Sequence, residues 1–201
     1  QIIRIGLWVL QEVCRQIKVW EATGEDLNIP IAVNVSAKQI WQKDFHQQVL
    51  DVMQQQGVSP SRIKLELTES ALISDFDAVN HNVQSLRSAG IKFSLDDFGT
   101  GYSSLSYLCK FPFSKLKIDR SFAAALDHSA SARNVLRAIV RLGHGLGMTV
   151  TAEGIETQRQ LSLLRDIGCD LAHRLRFEET NEARFSSVCM PIGGICGKLR
   201  G

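Results

Sequence analysis

Segments with the pattern of β-strands alternate with segments with the pattern of α-helices along almost the whole of this sequence. The first segment, residues 7–20, is predicted to be an amphipathic helix, because Leu10, Val13 and Ile17 fall on one face. Strands are then predicted at 29–36, 62–70, 90–99, 113–122, 148–156 and 169–172, and helices at 38–56, 75–88, 130–146 and 157–167. Such alternation is typical of an α/β fold with a parallel sheet.

Polar residues recur at the carboxyl ends of the predicted strands: Asn34, Glu66, Asp96, Lys117 and Glu153. An open doubly wound sheet and a closed barrel both fit the alternation alone. In a (β/α)8 barrel these ends converge on one mouth, whereas an open sheet spreads them along an edge. We therefore predict an incomplete TIM-like (β/α)8 barrel with about six βα units.

Composition limits the kinds of partner and compartment. The 201 residues are 44% hydrophobic and 22% charged, which suits one domain with a sizeable core, and the net charge of +2 gives no reason to expect a nucleic-acid polymer. No apolar run approaches the roughly 20 residues of a membrane span. Five scattered cysteines without a CxxC pair predict a reducing, cytoplasmic setting, either of a free protein or of the cytoplasmic part of a membrane-anchored one. The chain begins with Gln, so we expect a fragment of a longer protein.

The stretch "LDDFGTG" places two carboxylates, Asp96 and Asp97, side by side. Adjacent carboxylates repel each other unless a cation lies between them. They also point to opposite faces of an extended strand, so both reach one site only if the chain turns, as Gly99 and Gly101 would allow. Further oxygen donors are expected near the same strand ends: Asn34, Glu66, Glu153 and Glu156. Oxygen ligands suit Mg²⁺ or Mn²⁺, and two such ions would serve phosphoester hydrolysis, with Lys117 positioning the water or offsetting charge.

Five motifs occur in a distinctive order: "VNVSA", "LELTES", "LDDFGTGYSSLSYL", "LKIDRSF" and "TAEGIET". From Ile2 to Ala172 the chain closely resembles the EAL-domain family of cyclic di-GMP phosphodiesterases. The resemblance implies a TIM-like barrel that hydrolyses cyclic di-GMP to linear pGpG with two Mg²⁺ or Mn²⁺ ions in bacterial signalling. It also implies a homodimer and fusion to sensory or GGDEF domains.

The resemblance also assigns roles to particular residues. It implies metal ligands at Asn34, Glu66, Asp96, Asp97 and Glu153, with Asp96 bridging two ions and Asp97 serving the second. It implies catalytic roles for Lys117, which would hold the attacking water, and for Glu153 and Asp97. Glu69 would brace the loop at 98–104, which links the site to the dimer interface in the family. Supporting positions are Phe98, Gly99, Thr100, Gly101, Asp119 and Glu156.

The sequence departs from the family pattern at both ends. No Glu-Ala-Leu occurs in it, so residues 1–172 are expected to be a partial EAL domain that lacks its first strands and one metal ligand. Residues 173–201 form a divergent tail, where the family has Gln-Gly-Tyr. Codons for 174–180 exist that, read one base later, encode Gly-Tyr-Ala-Leu-Lys-Lys-Pro, which resembles the family's next segment. A frameshift is therefore predicted.

These departures leave three interpretations open. The first is an EAL phosphodiesterase domain with impaired activity, because a barrel without all its strands has exposed edges. The second is an inactive EAL module that binds cyclic di-GMP or a partner protein. The third is a non-functional remnant.

Overall fold

The structure of the chain, a computed structural model, describes residues 1–24, 28–72, 76–100, 108–177 and 185–191. The chain forms two compact units, Gln1–Asp96 with Thr100–Ser114, and Asp97–Gly99 with Lys115–Gly201. In the parts of the chain that are described, no helix has the length and apolar character needed to cross a membrane.

The first unit contains three parallel strands and the helices that cover them. Its elements are α1 (Ile2–Thr23), β1 (Ile31–Val35), α2 (Ala37–Ile40), α3 (Phe45–Gln56), β2 (Ile63–Thr68), α4 (Phe76–Ser88) and β3 (Lys92–Phe98), the last of which continues into the second unit. β2 lies between β1 and β3. Its apolar residues Ile63, Leu65 and Leu67 are buried, as is Ile17 of α1, so the core lies between the sheet and the helices.

The single helix predicted at 38–56 is in fact two helices, because the chain turns between α2 and α3. Asn82 of α4 donates from Nδ2 to the carbonyl oxygens of Ile40 and Gln42, at 2.8 and 2.7 Å. These bonds satisfy carbonyl groups at the end of α2, so the helix can stop there. The predicted end at Gly57 is confirmed, since Gly57 has a left-handed φ of 64°.

The second unit contains three parallel strands and one antiparallel strand. Its elements are β4 (Lys115–Ile118), α5 (Arg120–Ala125), α6 (Ala130–Gly145), β5 (Thr149–Ile155), α7 (Gln158–Ile167), β6 (Leu171–Phe177) and β7 (Phe185–Pro191). β5 lies between β4 and β6, and β7 pairs with β6 in the antiparallel sense.

Two strand predictions in this unit were wrong in their bounds. The strand expected at 113–122 ends at Ile118, because Asp119 accepts a hydrogen bond from the backbone N–H of Ser121 at 2.9 Å and begins α5. The strand expected at 169–172 runs from Leu171 to Phe177. Its pairing with β7 supplies hydrogen bonds that the irregular sequence pattern of the tail did not indicate.

Candidate functional site

Three predicted metal ligands lie on one face of the sheet in the first unit. Asn34 of β1 and Glu66 of β2 are register partners. Asp96 of β3 pairs with Thr68, two residues beyond Glu66, so Asp96 and Glu66 point to the same face. Asn34 is exposed, Asp96 is half-buried, and Glu66 is 8% exposed. Because neighbouring strands are about 4.8 Å apart, the parallel register brings an amide and two carboxylates together.

A capping box fixes the backbone just after Asn34. The Oε1 atom of Gln39 accepts hydrogen bonds from the backbone N–H of Ser36 at 3.0 Å and from its hydroxyl at 2.7 Å. Gln39 is buried, and a Cβ at position 6 would overlap its side-chain amide, so Gly6 of α1 makes room for it. The end of β1, and with it Asn34, is therefore held against α1.

An ion pair joins two predicted catalytic residues in the second unit. Lys117 Nζ lies 2.8 Å from Glu153 Oε1, and their side chains are 16% and 23% exposed. The two residues stand on neighbouring parallel strands, where Lys117 is in register with Thr151. The ammonium group is thus held at the end of β4 by a partly buried carboxylate, which strengthens their attraction.

His173 is a neighbour of this ion pair that the sequence analysis did not include in the site. Its Nδ1 atom lies 3.8 Å from Glu153 Oε1. It was missed because it was assigned to the divergent tail. The signal that could have found it is the continuation of the strand pattern past Ala172, which carries residue 173 to the strand end.

The backbone turns immediately after Asp96, as the two adjacent carboxylates require. Asp97 itself has a left-handed φ of 53°, and Gly99 follows with a φ of 96°. A non-glycine residue in this conformation is uncommon and costs about 1 kcal/mol or more. The prediction of a turn is confirmed, but the turn begins at Asp97 and not at the glycines. Gly101 lies outside the described residues.

The supporting residues have different environments. Glu69 is 4% exposed, in a short 3₁₀ turn at Glu69–Leu72. Hydrogen bonds from Ser121 hold the pKa of Asp119 below its ordinary value, in its role as the first residue before α5. Glu156 is exposed, and its backbone N–H donates to Gln160 Oε1 at 2.9 Å. Phe98 is buried and Thr100 is exposed.

The donor set of the first unit suits a hard divalent cation. Asn34, Glu66 and Asp96 offer only oxygen atoms, which Mg²⁺ and Mn²⁺ prefer. Among the residues that the structure describes, no three Asp, Glu, His or Cys side chains come close enough to bind one ion together. The amide of Asn34 would therefore complete the set.

Comparison with known proteins gives consistent results. A family profile described as "EAL domain" matches residues 1–173. The bifunctional diguanylate cyclase/cyclic di-GMP phosphodiesterase MucR of Pseudomonas aeruginosa is 42% identical over 170 residues, which cover 84% of this chain and 24% of MucR. The solved PaMucR phosphodiesterase in complex with c-di-GMP superposes with a TM-score of 0.76 at 42% identity, covering 84% of this chain and 68% of that one.

A manganese/cy-diGMP complex of BlrP1 from Klebsiella pneumoniae superposes with a TM-score of 0.74 at 27% identity, covering 90% of this chain and 46% of that one. The α/β, TIM-like fold predicted from the sequence is therefore confirmed, with six parallel strands in the two units. The chain spans only 21% to 24% of the length of curated relatives such as YkoW and MucR. It belongs to the EAL domain family.

Proposed function

We propose that this chain takes part in the metal-dependent hydrolysis of cyclic di-GMP to linear pGpG. One observation carries the proposal: Asn34, Glu66 and Asp96 offer oxygen donors from one face at the carboxyl ends of three neighbouring parallel strands. The names of MucR and of the solved PaMucR complex support the choice of substrate.

The reaction adds one water across one phosphodiester bond. The water oxygen bonds to phosphorus, the bond from phosphorus to the ribose 3′ oxygen breaks, and that oxygen receives a proton. Asn34, Glu66 and Asp96 would hold Mg²⁺ or Mn²⁺, which when bound acidifies water and neutralises phosphate charge. Asp97 is the predicted ligand of a second ion.

Lys117 and Glu153 have complementary tasks in this proposal. The ammonium group of Lys117 orients the attacking water and offsets the negative charge that develops on the phosphoryl oxygens. Glu153 keeps that ammonium group in place through the 2.8 Å ion pair. Because the pair is already formed, little reorganisation is needed during the reaction.

Hydrolysis should be slow in the 201 residues alone. They contain no Glu-Ala-Leu, the motif whose glutamate is a further metal ligand in the family that the chain resembles. A set with fewer ligands binds its ions more weakly. We therefore expect the rate to saturate only at high Mn²⁺ concentration.

The proposal extends to the setting of the chain. The length of the relatives supports a place within a longer, cytoplasmic signalling protein with sensory or GGDEF domains, and a second copy of the chain is the proposed partner. Light scattering after gel filtration tests the homodimer. A one-base shift near codon 173 is proposed for the tail, since the family match ends at 173. Sequencing across codons 172–182 tests it.

The deciding experiment is chromatography of cyclic di-GMP incubated with the purified chain and Mg²⁺, Mn²⁺ or EDTA. We expect pGpG with either metal and none with EDTA, and we expect Lys117→Met to abolish it. Lys115→Met is the matched control, because Lys115 lies on the same strand but pairs with Thr149 at the opposite end. Nucleotide binding without any hydrolysis would refute the proposal in favour of a binding module, and equal loss in both variants would refute the role of Lys117.

A further inference from the structure

The strands β3 and β5 end with the same local design. Each has seven residues, with the same order of buried and exposed positions. In each, a predicted site carboxylate at the fifth position is followed by a left-handed residue: Asp96 by Asp97 with φ 53°, and Glu153 by Gly154 with φ 69°. The left-handed residue turns the chain directly after the carboxylate.

The short helix α5 lies against both of these turns within the second unit. A Cβ at Gly154 would lie 3.2 Å from the Cα atom of Arg120 and closer still to its Cβ. A Cβ at Gly99 would lie 2.7 Å from the Cζ atom of Phe122. Neither backbone has room for a side chain on the side that faces α5, so each is in direct contact with the helix.

The helix is itself well anchored. Asp119 accepts a hydrogen bond from the Ser121 N–H at 2.9 Å, and its own N–H donates to the carbonyl oxygen of Phe98 at 3.5 Å. Ala123 and Leu126 are buried, and the carbonyl of Leu126 accepts a hydrogen bond from Arg133 Nη1 at 2.8 Å. A fixed helix can therefore hold two turns that would otherwise relax.

We propose that α5 is a positioning element for the reaction, and that Arg120 and Phe122 are positioning residues that act through their packing on Gly154 and Gly99. Arg120 fixes the backbone of Glu153 relative to Lys117, which lies just before α5 on β4. Phe122 fixes the turn that carries Asp97. This inference rests on the proposed function, because it supposes that Asp97 and Glu153 serve the cation and the phosphodiester.

The chain offers a matched pair of substitutions to test the Arg120 contact. Gly154→Ala introduces both a left-handed alanine and a clash with Arg120. Gly147→Ala introduces a left-handed alanine at φ 73° with no atom within 4 Å of the new Cβ, so it reports backbone strain alone. Arg120→Gly in the Gly154→Ala background removes the clash and leaves the strain.

Three measurements are made on the full chain: Mn²⁺ affinity by calorimetry without substrate, kcat and KM for cyclic di-GMP, and the melting temperature. Gly154→Ala should weaken Mn²⁺ binding and lower kcat by about 10-fold to about 100-fold, the usual effect of losing an outer support, with KM nearly unchanged. Gly147→Ala should lower the melting temperature similarly and leave Mn²⁺ affinity and kcat unchanged. Arg120→Gly should restore most of both in the double variant.

The Phe122 contact is tested in the same way with Gly99→Ala and with Gly99→Ala/Phe122→Leu, since leucine lacks the ring atoms that meet the new Cβ. Equal effects of Gly154→Ala and Gly147→Ala, or no recovery in the double variants, would overturn the inference. A wild-type chain that binds Mn²⁺ but leaves cyclic di-GMP intact would refute the proposed function only, because the Mn²⁺ titrations would still decide the role of α5. A wild-type chain that binds no Mn²⁺ but cleaves the nucleotide would overturn the inference and leave the hydrolysis standing.

Discussion

Asn82 is the polar residue on which the first unit depends most, although it is remote from the candidate site. It is fully buried on α4. Its Nδ2 donates to the carbonyl oxygens of Ile40 and Gln42, while its Oδ1 accepts from the backbone N–H of His46 at 3.1 Å and lies 2.9 Å from His46 Nδ1. Since Oδ1 can only accept, the proton of the neutral His46 ring lies on Nδ1. One side chain thus satisfies both ends of the turn between α2 and α3.

Asn82→Ala removes all of these bonds at once. The carbonyl of Ile40 and the N–H of His46 lose their partners, and each such buried group costs about 1–3 kcal/mol. The free energy of unfolding should fall by about 3 kcal/mol, because water can reach the part-buried Gln42 end. Asn82→Asp should be at least as harmful, because a carboxylate cannot donate to the two carbonyl oxygens.

The assay is urea unfolding followed by tryptophan fluorescence. All three tryptophans, Trp8, Trp20 and Trp41, lie in the first unit, so the signal reports on the unit that contains Asn82. Asn80→Ala is the matched control, because Asn80 lies on the same helix and is only half-buried. If Asn82→Ala costs no more than Asn80→Ala, the reasoning from buried hydrogen bonds is refuted.

Two further outcomes are expected. Asp119→Ala should lower the free energy of unfolding by about 1 kcal/mol near neutral pH, because α5 loses its cap; the folded pKa lies below the ordinary 3.8, so the contribution is present above that pH and is lost as pH falls through the folded pKa, and urea titrations at several pH values that showed no such loss would contradict it. Burial raises the pKa of the Cys169 thiol to about 11, so iodoacetamide at pH 8 should modify exposed Cys109 well before Cys169, and peptide mass spectrometry showing equal rates would contradict this. The same shift adds stability that is complete below pH 9 and is lost as pH rises towards 11, because the unfolded thiol ionises first.

The elements that a local pattern specifies were predicted well. Strands β2, β3 and β5 and helices α4, α6 and α7 lie within or close to the predicted ranges. Periods of two and of about 3.6 residues arise from the geometry of the chain itself, so neighbouring residues suffice to predict them. Errors arose where a distant group decided the outcome, as with the break after Ile40, which depends on Asn82, forty-two residues away.

The candidate site divides in the same way. The order of motifs in the sequence was sufficient to predict the family, the residue types at the strand ends and the need for a turn near Asp96. The register that sets Asn34 beside Glu66, the 2.8 Å contact of Lys117 with Glu153 and the approach of His173 required the tertiary structure. A motif fixes which groups are available, because chemistry belongs to the side chain. Which groups meet depends on strand pairing and packing between residues far apart in the chain, and no local pattern records those contacts.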